Sequence, residues 1–80
     1  MEKTLVEEKV KDVIAKVLGI EKNTILTEAN FIFDLGADSQ QSIELIAGFE
    51  EEFDIEMDED KALAIQSVSN AVDFIHSHLK

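Results

Sequence analysis

Apolar residues recur at the three-to-four-residue spacing of an α-helix in three stretches of this chain, and no proline interrupts any of them. In the first stretch, Leu5, Val6, Val10, Val13, Ile14, Val17 and Leu18 form a stripe between lysines and glutamates. Thr4 stands where an N-cap belongs, Glu7 completes a capping box, and Gly19 follows as a C-cap. The second stretch begins at Asp38 or Ser39, with Asp38 suited to the N-cap and Gln41 to the box position. Ile43, Leu45, Ile46, Phe49 and Phe53 fall on its apolar face, and Gln40, Glu44, Ala47 and Glu51 form a strip on the other side, flanked by Gln41, Gly48 and Glu52. The third has Val68, Ala71, Val72, Ile75 and Leu79, with Ser67 or Ser69 as its cap. A short helix fits near Glu59 to Ile65, after a polar turn over 54–60, and no segment reads as a strand. The expected fold is therefore all-α: a four-helix bundle with three main helices, one short helix and a long first loop, in a single domain over residues 1–80.

That loop, residues 20–37, contains Ile25, Leu26, Phe31, Ile32, Phe33 and Leu35. A connection so apolar is expected to pack onto the core, and long structured connections in compact domains are often functional. The core has to hold the fold unaided. A chain of 80 residues buries only about 60–65% of its unfolded surface, and without cysteine it has no disulfide to add. No apolar run reaches the ~20 residues of a membrane span, and the first residues lack the pattern of a signal peptide. A soluble, cytoplasmic protein is expected, with no membrane insertion.

Charge is unevenly spread. Residues 1–22 hold five lysines and five acids, which cancel, so the net charge of −11 belongs to residues 23–80. Asp38 to Asp60 contains ten acids and no base. Such a surface repels nucleic acid and anionic lipid, and it steers basic protein patches toward itself. A solubilising face would look the same on charge alone.

Ser39 is the candidate for chemistry. A serine at a helix start ordinarily serves as a cap, but Asp38 already suits that position. Gly36 permits a tight turn, and a phosphate is favoured at the positive end of a helix by ~0.3–1 kcal/mol. A phosphate ester would sit well there. A hydrolase-type nucleophile would not, since the Gly-x-Ser-x-Gly elbow is absent and the only histidines are His76 and His78 near the chain's end. Those two are two residues apart, point to different helix faces and cannot clamp one metal. Asp54, Glu56 and Asp58 imitate the start of a calcium loop, but Glu59 and Ile65 stand where its glycine and final glutamate are needed. No specific metal site is expected, beyond weak divalent binding to the acids.

The segment "DLGADS" followed by an acidic amphipathic helix resembles the acyl carrier protein family, in its freestanding bacterial form. "IEL", "EEEFDIEM" and "AVDFIHSH" fall where that family has similar segments, so the similarity runs from Val6 to His78. The resemblance implies that Ser39 bears 4′-phosphopantetheine, installed from coenzyme A by a phosphopantetheinyl transferase (holo-acyl carrier protein synthase). It implies that acyl groups ride as thioesters on the arm's thiol, that the protein itself catalyses nothing, and that it works as a monomer. The pathway implied is fatty acid or related lipid biosynthesis. A carrier of polyketide or aminoacyl intermediates and an unmodified protein-binding relative are the alternatives. Asp38, Gln40, Gln41, Glu44 and Glu51 are the residues expected to meet partners, namely acyl-transferring and condensing enzymes with basic docking patches. Leu45, Ile46, Phe49, Met57, Ala62, Ile65, Ala71 and Phe74 are those expected around an acyl chain.

Four residues depart from the family's usual pattern. Gln40 replaces a leucine, Gln41 a common acid and Ala47 a larger apolar residue. All three lie on the docking side of the helix, which points to the choice of partner rather than to the carrier role. On the core side, Phe49 replaces an aliphatic residue beside Gly48, a pair that either exchanges size in packing or reshapes the acyl pocket.

Overall fold

The computed structural model describes residues 2–57, 60, 62 and 64–79. Three α-helices are present among them: α1 (Lys3–Leu18), α2 (Ser39–Phe53) and α3 (Val68–His78), with a 3-10 turn at Lys22–Thr24. The expected short helix near Glu59 to Ile65 falls on a segment whose Glu59, Lys61 and Leu63 lie outside the described residues. No helix among the described residues is long and apolar enough to cross a membrane.

The core follows from the apolar stripes. Helix α1 packs against both α2 and α3. Val6, Val10 and Ile14 of α1, Leu45 and Phe49 of α2, and Val68, Ala71 and Ile75 of α3 are buried. Gly19 ends α1 in the left-handed conformation as expected, its N–H donating to Ala15 O. The start differs from expectation. Glu2 is the N-cap without a side-chain bond, and Thr4 lies inside the helix. Beginning earlier lets Val6 N–H donate to Glu2 O at 3.0 Å and lets Lys3 reach Asp73 of α3 at 2.6 Å. The Val6–Glu2 bond closes the first turn earlier than the cap pattern suggests, while the exposed Lys3–Asp73 pair adds little. Helix α3 is capped by Ser67, whose Oγ accepts from Asn70 N–H.

The long connection is tied down at both ends. Lys22 bridges Glu8 at 2.6 Å and Asp12 at 2.9 Å, and these two hydrogen-bonded carboxylates raise its pKa. The bridge is therefore complete below the ordinary lysine value of 10.5 and is lost as pH rises through the higher folded one. Further on, Phe31 N–H donates to Gln66 O, Val68 N–H to Ala29 O and Ser69 N–H to Thr27 O, which pins the connection to the start of α3. Ile25, Ala29, Phe31 and Ala37 are buried, as the apolar content leads one to expect. Leu26, Ile32 and Phe33 are not; they face solvent.

Gly48 allows α2 to approach α1 closely. A Cβ there would lie 2.7 Å from Val13 Cγ1. Val13 is β-branched, buried and stiff, so it cannot turn aside freely. Gly48 therefore serves the α1–α2 contact. We predict that Gly48→Ala lowers stability by ~1 kcal/mol, because overpacking of about 1–3 kcal/mol exceeds the ~1 kcal/mol gained in helix propensity. In a Val13→Ala background the same change should stabilise. Urea titration of the four proteins measures the cycle, and a Gly48→Ala protein more stable than wild type would contradict the close-approach argument.

Candidate functional site

The site is built by one turn and one helix end. Phe31 is buried, and its carbonyl accepts from Ala37 N–H at 2.8 Å. Between them Gly36 adopts φ +76°, a conformation that costs other residues energy. Ala37 is buried in turn, so the chain leaves the core at Asp38 and enters α2.

Asp38 has extended backbone and caps the helix. Its Oδ1 accepts from Gln41 N–H at 2.7 Å, and Gln41 Oε1 accepts from Asp38 N–H at 3.1 Å, which closes the expected capping box. Ser42 Oγ donates to Asp38 O at 3.1 Å. Capping is thus done by Asp38, and Ser39 stands exposed at the first helical position. Gln41 is half-buried, and its amide is committed to the box rather than turned fully to solvent. Gln40, Glu44, Ala47 and Glu51 are exposed, so the strip opposite the core is where helical geometry puts it.

Ser39 also lines an apolar groove of about 660 Å³ between the long connection, α2 and the segment after it. Four of the residues expected around an acyl chain line this groove: Ile46, Met57, Ala62 and Ile65. Leu45, Phe49 and Ala71 are sealed in the core instead, and Phe74 stacks on the His78 ring at 4.3 Å. Phe31, Ile32, Phe33, Ile43 and Ala47 line the groove without having been expected there. The signal for part of this set was in the sequence. Ser39, Ser42, Ile43, Ile46 and Glu50 share one helical face, so whatever lies beside Ser39 also lies beside Ile43 and Ile46. Ile43 belongs to the apolar half of the helix, yet it is exposed at the groove and not in the core.

Glu50 shapes the far side. Asp54 ends α2 in the left-handed conformation, tolerable for aspartate, and Ile55 N–H donates to Glu50 O. Glu50 Oε2 accepts from Met57 N–H at 3.1 Å, folding the segment back so that Met57 reaches the groove. Of the acids resembling a calcium loop, Asp54 is thus the helix cap, Glu56 is exposed, and Asp58 lies outside the described residues. His76 and His78 are exposed at the end of α3.

Comparison with known proteins agrees with this arrangement. The family described as "Phosphopantetheine attachment site" matches residues 8–75. The match makes the chain a carrier of a phosphopantetheine group. The acyl carrier protein of Clostridium acetobutylicum is 51% identical over 74 residues, covering 92% of this chain and 96% of its own length. The chain belongs to the acyl carrier protein family. Its cofactor is 4′-phosphopantetheine, and its function is to carry acyl groups, dealing with a phosphopantetheinyl transferase and with acyl-handling enzymes.

The residues present fit that group. Asp38 leaves Ser39 free, the start of α2 presents unsatisfied backbone N–H groups to a phosphate, and the groove beside Ser39 is lined mainly by apolar side chains. The uncompensated acids have a cost. Ten carboxylates between Asp38 and Asp60 repel one another in a small fold. Salt shortens the reach of that repulsion, with a Debye length of about 10 Å at 0.1 M. We predict that added sodium chloride raises the melting temperature and that magnesium does so at lower concentration. A melting temperature unchanged from low salt to added magnesium would contradict the repulsion argument.

Proposed function

We propose that Ser39 is the residue that bears the arm, and that the protein uses it in the cytoplasm to present acyl intermediates to enzymes of fatty acid or related lipid biosynthesis. The observation that carries this reading is the position of Ser39, exposed at the start of α2, relieved of capping by Asp38, and lining an apolar groove. When bound, the arm supplies the thiol that a chain with no cysteine lacks. The chain's own part is to present Ser39 Oγ to a transferase, to hold the phosphate at the start of α2, and to cover the carried chain with Ile46, Met57, Ala62 and Ile65. Leu45, Phe49 and Ala71 would have to part before a chain could pass deeper. No histidine, lysine or arginine occurs between residues 23 and 60, so this reading assigns the activation of Ser39 to the transferase and a carrier's role, without catalysis, to the chain.

Partners would meet Gln40, Glu44 and Glu51 on the exposed strip, with Asp38 and Gln41 holding the helix end that they approach. The attraction is to basic patches, and the same charge opposes self-association, which supports a monomer.

Incubation with a phosphopantetheinyl transferase and coenzyme A should add one arm by intact mass. Ser39→Ala should abolish the mass shift and keep the helical circular dichroism. An arm found on the variant would defeat the assignment. The thioester-bound group on protein from its own host distinguishes fatty acyl cargo from polyketide or aminoacyl cargo.

A second prediction concerns Gln40. It is exposed on the docking strip, where glutamine gives a partner little apolar area and requires a hydrogen bond when buried. We predict that Gln40→Leu raises kcat/KM with at least one acyl-transferring or condensing enzyme, while stability stays within about ±0.5 kcal/mol. Equal efficiency across a panel of such enzymes would make Gln40 a neutral surface residue.

A further inference from the structure

The exposed strip of α2 offers a partner Gln40, Glu44, Ala47 and Glu51, with no large apolar side chain among them. Stable docking ordinarily needs an apolar anchor inside a polar rim. The large apolar residues exposed near Ser39 lie one face over. Phe33 is 88% exposed, Ile43 68% and Ile32 50%, and all three line the groove that Ser39 lines. A scattered exposed apolar residue needs no explanation, but a contiguous group at a functional groove does.

The turn holds Ile32 and Phe33 outward. Asn30 Oδ1 accepts from the N–H groups of both Ile32 and Phe33, at 2.9 and 3.0 Å. Asp34 Oδ2 accepts from Asn30 N–H at 2.7 Å, and Asp34 N–H returns a bond to Asn30 O. Phe31, buried next door, fixes the turn to the core. The exposure of Phe33 is therefore built into a bonded turn.

We infer that Phe33, with Ile32 and Ile43, is the apolar anchor by which partner enzymes grip this protein while they reach Ser39; the inference rests on the reading of Ser39 given above. Charge selects the occupant. No lysine or arginine occurs from residue 23 to residue 60, and Glu28, Asp34, Asp38, Glu44 and Glu51 are all exposed. A second copy of the chain or an anionic membrane would be repelled. The surface that fits is that of an enzyme with an apolar pocket rimmed by lysine and arginine. A phenyl ring seated in such a pocket supplies the desolvated contact that Gln40 and Ala47 do not.

The test uses the full chain with two enzymes, a phosphopantetheinyl transferase acting on the apo protein and a condensing enzyme acting on the acylated one. Phe33→Ala should raise KM by about tenfold or more with both and leave kcat within about twofold, the pattern of lost uniform binding. Phe33→Asp should be worse and Phe33→Leu close to wild type. The melting temperature should not move, because Phe33 is outside the core. A wild-type KM for Phe33→Ala with both enzymes overturns the inference. So does an unchanged KM accompanied by faster hydrolysis of the acyl thioester, which would make Phe33 a cover over the carried chain. Failure of the wild-type protein to accept the arm is seen before any variant is compared, and it defeats the Ser39 reading and this inference with it.

Discussion

Phe31 packs against Phe49 with ring centroids 6.3 Å apart, and through that contact the long connection is docked onto α2. The same residue is bonded to two other parts of the fold. Its N–H donates to Gln66 O ahead of α3, and its carbonyl accepts from Ala37 N–H ahead of α2. One buried aromatic residue thus couples the connection, the start of the site helix and the start of the last helix. With Phe31 inward, the Asn30-bonded turn leaves Ile32 and Phe33 facing out, and Ala37 enters the core just before Asp38 and Ser39. A loop of this length without such an anchor would carry an entropic cost and leave the serine ill-placed.

The fold separates what stabilises it from what it shows to others. Stability comes from the stripes of α1, α2 and α3, and Gly48 lets two of them close to contact distance at Val13. The ion pairs add little, since those of Lys3 and Lys22 are largely exposed. The acids after residue 22 oppose compactness, and those exposed at or on α2, Asp38, Glu44, Glu51 and Glu52, are the ones that the proposed reading has attract basic partners. A carrier must be recognised by several enzymes and must release each of them. Long-range charge with a small apolar contact suits that need better than a large dry interface.

The groove and the helix cap together support the proposal that Ser39, among several serines, bears the arm. Ser42, Ser67, Ser69 and Ser77 also lie in or beside helices, but Ser42 Oγ donates to Asp38 O, Ser77 Oγ donates to Phe74 O, and Ser67 caps α3 with Ser69 beside it. Ser39 has its capping duty taken by Asp38 and lines the apolar groove, which Ser42 also lines but with its hydroxyl bonded to Asp38 O. A chain that holds a tethered apolar cargo needs both properties at one residue.

The periodic stripes, the Asp38–Gln41 capping box, the Gly19 and Gly36 turns and the segment "DLGADS" were legible in the sequence, because each depends on residues a few positions apart. From these follow the helical class, Ser39 at a helix start and the acid distribution. The tertiary structure decided what depends on distant residues. It placed the start of α1 at Glu2 rather than Thr4, beside the exposed Lys3–Asp73 pair. It sealed Leu45, Phe49 and Ala71 in the core while leaving Ile46, Met57, Ala62 and Ile65 beside the groove. It turned Phe31 inward and Phe33 outward, although the two read alike in sequence. Hydrophobic burial is non-directional, so an apolar residue's type says that it gains by being covered, and only the packed neighbours determine whether anything covers it.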